Sequence, residues 1–95
     1  MKVRFTRQGV RVRIDDLELA ALQRGEILKL ETLWLEGGWT LELSPLSDGL
    51  EGMNGHLKVG IRELLPMLGE PEREGVRLEG PPRVDVEKDF GAVHA

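Results

Sequence analysis

Two stretches near the N-terminus alternate apolar and cationic side chains: Val3-Arg4-Phe5, then Val10-Arg11-Val12-Arg13-Ile14. A period of two cannot form the apolar stripe of a helix. It belongs to a strand with one face buried and the other in water. The intervening Arg7-Gln8-Gly9 ends in a residue that accepts positive φ at little cost, which suits a tight hairpin. Near the other end, Val84 and Val86 alternate with Asp85 and Glu87 in the same way. A chain patterned like this must bring apolar strand faces together, so its fold is built on sheet.

Asp15 ends the second strand and can cap a helix, with Glu18 three residues on as its capping-box partner. Leu17, Ala20, Ala21 and Leu22 then form a short apolar stripe, and Gly25 supplies a left-handed exit. The run "LKLETLWLEGGWTLELS" reads as two strands closed by Gly37-Gly38. That loop pairs Glu36 with Trp39, Trp34 with Leu41 and Thr32 with Leu43. Leu30, Thr32, Trp34, Leu41 and Leu43 share one face, and both tryptophans are read as core. Leu33 and Leu35 fall on the opposite face beside Glu42 and Thr40, where a helix or a second copy of the protein is expected to cover them.

Residues 45–55, rich in Gly, Asp, Asn and Pro, read as a loop or a weak strand. Leu57, Val59 and Ile61 mark a further strand. "RELLPMLG" reads as a second short helix with Pro66 in its first turn, where a missing N–H costs little. Val76 and Leu78 form a short strand before Pro81-Pro82. The fold class is therefore α+β: a mainly antiparallel sheet of about six or seven strands with two short helices on one side. Residues 1–95 make a single domain, since a chain of this length supports one modest core. Each half echoes the other loosely as strand, helix, strand.

Composition excludes several classes of function. There is no cysteine, which removes disulfide frameworks, thiolate metal sites and cysteine nucleophiles, and fits a reducing cytoplasm. Lys2 and Arg4 are not followed by an apolar run, so no signal peptide is expected, and no stretch approaches a membrane span of about 20 residues. One Asn and two Gln stand against 17 acidic and 13 basic residues, a thermophile-like balance. Lys2, Arg4, Arg7, Arg11 and Arg13 occupy the first 13 residues without a single acid, so all 17 acidic residues lie beyond them. That segment either pairs with acidic neighbours in its own sheet or presents a cationic patch to a polyanion.

Catalytic and metal-binding patterns are missing. His56 and His94 stand alone, so no metal or other cofactor is expected. Neither Ser44 nor Ser47 sits in a nucleophile elbow, and "GLEGMNGH" lacks the Gly-Lys-Ser/Thr ending of a phosphate loop. With four aromatic residues and no tyrosine, a stacking platform for single-stranded nucleic acid is not expected.

The closing "VEKDF" places Val84, Val86, Lys88 and Phe90 on one parity, and Asp85, Glu87 and Asp89 on the other. The acidic row then faces water or the cationic row Arg4, Arg11 and Arg13. Together with "VRVRI", "DDLELAAL", the Arg24-Gly25 pair and Glu31-Thr32, this ending resembles a small bacterial family of unknown function. Its members share the plan of a first hairpin, a short helix, an "E-x-T" strand, a second helix and a last strand. The family often continues with a cysteine, where this chain has Gly91-Ala92. The resemblance implies no reaction, but marks Glu87, Lys88, Asp89 and Phe90 as a candidate binding patch.

Two functional readings follow. The first is a non-enzymatic, cytoplasmic protein-interaction module that self-associates through Leu33 and Leu35, as a homo-oligomer or with a further protein partner. The alternative is nucleic-acid or other polyanion binding through Arg4, Arg11 and Arg13. A hydrolase or isomerase using Glu87 or Asp89 ranks behind both.

Overall fold

A computed structural model describes residues 1–89. Within them lie β1 (Lys2–Thr6), β2 (Gly9–Ile14), α1 (Asp16–Gln23), β3 (Leu28–Trp34), β4 (Gly37–Ser44), β5 (Asp48–Met53), β6 (His56–Ile61), α2 (Leu65–Leu68), β7 (Gly75–Leu78) and β8 (Arg83–Lys88). The class is α+β with two short helices. The expected single sheet of six or seven strands is replaced by eight strands in two four-stranded sheets, ordered β1-β2-β8-β7 and β3-β4-β6-β5. A single sheet of these strands would leave one broad apolar face in water. Two sheets bury those faces against each other.

Both sheets follow one plan. In each, two antiparallel hairpins join through their second strands, which run parallel: β2 beside β8, and β4 beside β6. The first and last hairpins of the chain form one sheet, and the two middle hairpins form the other. The helices do not lie on one side of a sheet as expected. Each follows a central parallel strand and carries the chain from one sheet to the other. α1 leads from β2 to β3, and α2 leads from β6 to β7. Leu22 of α1 and Leu68 of α2 enter the same core cluster as Val12, Ile14, Leu41, Leu43, Val59, Ile61, Val84 and Val86, and all ten are fully buried. Each such aliphatic side chain contributes about 1.5–3 kcal/mol relative to exposure.

This arrangement gathers the hairpin turns at one end of the molecule and the helices at the other. The rings of Phe5 and Trp39 tie the turn ends of the two sheets together, edge to face, with centroids 5.1 Å apart. Gly9 opens β2 at a point where an added Cβ would lie 2.1 Å from the Arg83 carbonyl oxygen. Only glycine lets the parallel pair β2–β8 begin there.

The first helix has the expected capping box. The Glu18 N–H donates to Asp15 Oδ1 at 2.8 Å, and the Asp15 N–H donates to Glu18 Oε1 at 3.0 Å. Leu17 is not part of its buried stripe. It lies one turn before Ala21 on the same face, beyond the edge of the core, and is 81% exposed. Pro66 sits in the first turn of α2, as its missing N–H requires.

The middle hairpins depart from expectation in register. The β3–β4 turn is Leu35-Glu36, with Trp34 opposite Gly37, Thr32 opposite Trp39 and Leu30 opposite Leu41. Glu36 takes the positive φ (63°), and Gly37-Gly38 begins β4. The shift preserves parity, so the apolar face is the expected one. Trp34 is nevertheless not core: it ends an edge strand, is 56% exposed, and its indole lies against Gly37. Residues 48–53 form a full strand, because Asn54-Gly55 closes a two-residue hairpin with both residues at positive φ.

Candidate functional site: the charged face of the first sheet

The outward parity of the first sheet collects charges from four strands. β1 contributes Lys2 and Arg4, β2 Arg11 and Arg13, β8 Asp85 and Glu87, and β7 Arg77. The parallel pairing of β2 with β8 brings the two ends of the chain side by side. The Arg11 guanidinium grips the Glu87 carboxylate with both arms, Nε to Oε1 at 2.8 Å and Nη2 to Oε2 at 3.2 Å. Arg77 Nε donates to Asp85 Oδ1 at 2.7 Å, and Arg83 Nε approaches the other oxygen at 3.4 Å. Lys2 Nζ lies 3.9 Å from Asp89 Oδ2. Hydrogen bonding to Glu87 raises the Arg11 guanidinium above the ordinary arginine value, and hydrogen bonding to Asp85 does the same for Arg77. Both therefore remain charged at every accessible pH.

The acidic row of β8 thus lies between cationic strands, and Glu87 meets Arg11 as the alternation suggested. The match is incomplete. Lys2 is the cross-strand partner of Arg13, and Arg4 of Arg11, so like charges stand opposite each other along β1–β2. Such pairs are unfavourable. Neither Arg4 nor Arg13 makes an ion pair among the described residues. Lys2, Arg4, Arg11 and Arg13 line a shallow depression of about 270 Å³. An open groove of about 740 Å³ adjoins it, with Arg73, Arg77, Arg83, Asp85 and Glu87 in its walls.

The closing motif divides structurally. Glu87 belongs to this face. Lys88 has the opposite parity: its ammonium donates to the Glu70 carbonyl at 2.6 Å, and its N–H donates to the Glu74 carbonyl at 2.8 Å, holding the α2–β7 connection. The Asp89 N–H donates to the Ile14 carbonyl at 2.7 Å, extending the pairing of β8 with β2. Phe90 lies outside the described residues. Lys2, already part of the cationic N-terminal run, completes the face with Arg77 and Arg83, which the sequence pattern does not single out. The outward parity of Arg77 beside Val76 and Leu78 was the available signal.

Leu33, on the other sheet, and Leu35, in its β3–β4 turn, are not brought near this face. Leu33 stands opposite Gly38 rather than Glu42 or Thr40, and Leu35 is in the turn, not on the sheet. They are 76% and 92% exposed, and no helix among the described residues covers them. Trp34 lies between them. Met53, 74% exposed, stands at the neighbouring β5–β6 turn, where the Thr40 N–H donates to the Gly55 carbonyl at 2.7 Å.

Among the described residues, no group of three or more His, Cys, Asp or Glu is placed to hold a metal ion. No helix there is long and apolar enough to cross a membrane. Comparison with protein-family models, curated proteins and solved structures returns no significant match.

Proposed function

We propose that the protein is a non-enzymatic interaction module that associates with its own copy through the second sheet. The observation that carries this reading is the apolar exposure around the β3–β4 turn. Leu33, Trp34 and Leu35 are consecutive and more than half exposed, with Met53 at the adjacent turn. Isolated exposed leucines are ordinary, but three consecutive large apolar side chains exposed at one end of a small protein mark an interaction surface. Replacing Leu33 and Leu35 together by serine is expected to shift the protein toward monomer in sedimentation velocity, with the fold retained. A sedimentation coefficient unchanged from a self-associated wild type would remove these residues from the interface.

A second reading is favoured by the surplus of positive charge on the first sheet. Arg4 and Arg13 have no anionic partner among the described residues, and they border a depression lined by cations alone apart from Val3. A polyanion there would relieve the like-charge pairs of β1–β2. Its binding would weaken steeply with salt. Retention on heparin that an Arg4→Glu/Arg13→Glu variant loses would support this reading. Failure of the wild type to bind heparin at low salt would dismiss it.

A further inference from the structure

The edge of β3 carries a chemical pattern that is complementary to itself. Ile27, Lys29, Glu31 and Leu33 form its outward row, reading apolar, cationic, anionic, apolar, with Ile27 immediately preceding the strand. Run antiparallel to a second copy and centred on Leu30, this row pairs Ile27 with Leu33 of the partner copy and Lys29 with Glu31 of the partner copy. The twofold axis repeats both pairs. We propose that β3 is the seam of a twofold dimer in which this register joins two four-stranded sheets into one of eight strands. The proposal rests on the self-association reading above and names the surface that performs it.

Other registers are worse for specific reasons. An antiparallel pair must set residues of equal parity opposite each other. Otherwise outward side chains would face inward ones, and the free backbone groups would fall out of step. Centring on Glu31 opposes two carboxylates, and centring on Lys29 opposes two ammonium groups. Only the Leu30 centre pairs unlike charges and also sets the exposed Leu33 against an apolar residue, since Ile27 is 44% exposed. On the inward face the same register brings Leu30 against Leu30 of the partner copy, beside the existing core.

The other edges do not offer this. The outward row of β1 is Lys2 and Arg4, which would repel its copy. β7 has four residues and a lone Arg77. β5 presents Glu51 between Gly49 and Met53, so its central register opposes two glutamates. β3, at seven residues, is the longest edge strand of the described chain, and Glu31 makes no ion pair within the described residues. Lys29 lies 3.9 Å from Glu42 on the same sheet, and Glu42 also lies 4.0 Å from His56. Lys29 can therefore meet a second carboxylate while His56 stays beside Glu42. Charges on an edge strand ordinarily discourage pairing. Here their order makes the strand repel most partners and accept its own copy.

A charge-swap cycle tests the seam. Lys29→Glu and Glu31→Lys each create two like-charge pairs across the axis, so each is expected to weaken dimerisation about tenfold or more. The double variant Lys29→Glu/Glu31→Lys restores unlike pairs and is expected to dimerise within a few-fold of wild type. Sedimentation equilibrium supplies the dissociation constants, and circular dichroism melting verifies the fold of each variant. Because Lys29→Glu also places a second acid beside Glu42, Glu31→Lys is the decisive single change. A wild type that stays monomeric overturns the self-association reading and the seam with it. A dimeric wild type indifferent to Glu31→Lys overturns the seam alone. A weakened pair of single variants that the double variant does not rescue overturns the register.

Discussion

Gly38 and Gly37 are adjacent, but their constraints differ. Gly38 has φ of +155°, and a Cβ there would lie 2.6 Å from the Thr32 carbonyl oxygen, which is backbone and cannot yield. At Gly37 the obstacle is the indole of Trp34, an exposed ring free to swing away. Gly38→Ala is therefore expected to destabilise by about 1–3 kcal/mol, and Gly37→Ala by less than about 1 kcal/mol. The neighbouring Glu36 has the opposite problem, a side chain at φ 63° that gains nothing from it. Glu36→Gly is expected to stabilise by about 0.5–1 kcal/mol. Urea denaturation of the three variants checks the order. By residue type, two glycines in a row read as the turn itself. The energetics that moved the turn two residues back are a close backbone approach at Gly38 and a tolerated left-handed glutamate, and neither is visible in residue type.

Among the elements, β8 is the one whose surroundings matter most. Its apolar parity and its acidic parity were both legible, because alternation survives whatever the strand pairs with. Its neighbours were not, since nothing in Val84-Asp85-Val86-Glu87 specifies parallel pairing with a strand more than seventy positions earlier. Asp85 serves two arginines, one of which, Arg83, has a buried Nε without a hydrogen-bond partner. Among the described residues, Glu87 pairs with the exposed Arg11 alone. Asp85→Asn is therefore expected to lower the melting temperature more than Glu87→Gln does, with the latter near wild type. The arginine side of these pairs adds no pH dependence: a guanidinium raised on folding contributes fully below its ordinary value and loses that contribution only above it. Asn54-Gly55 is the opposite case of legibility. An Asn-Gly pair is the strongest local hairpin signal, yet the many turn-forming residues before it concealed β5.

The fold as a whole shows how one chain closes a core that a single sheet could not. Counting apolar parities predicts the buried residues well: Val10, Val12, Ile14, Leu41, Leu43, Val59, Ile61, Val76, Leu78, Val84 and Val86 are all inside. Partition into two sheets follows from long-range packing and from where α1 and α2 cross, which periodicity does not encode. Because both sheets share that cluster, Leu43→Ala is expected to cost about 2–5 kcal/mol, measured by chemical denaturation, although Leu43 lies far along the chain from the other sheet's strands. Among the described residues, closing the core leaves four edge strands and an apolar turn end unpartnered within one copy. We propose that a second copy meets the chain at β3. The most direct test is the molar mass of the wild-type protein by light scattering through a dilution series. The expected result is a mass approaching twice the 10.6 kDa chain at high concentration and falling toward one chain on dilution. A constant mass of one chain across the series would contradict it.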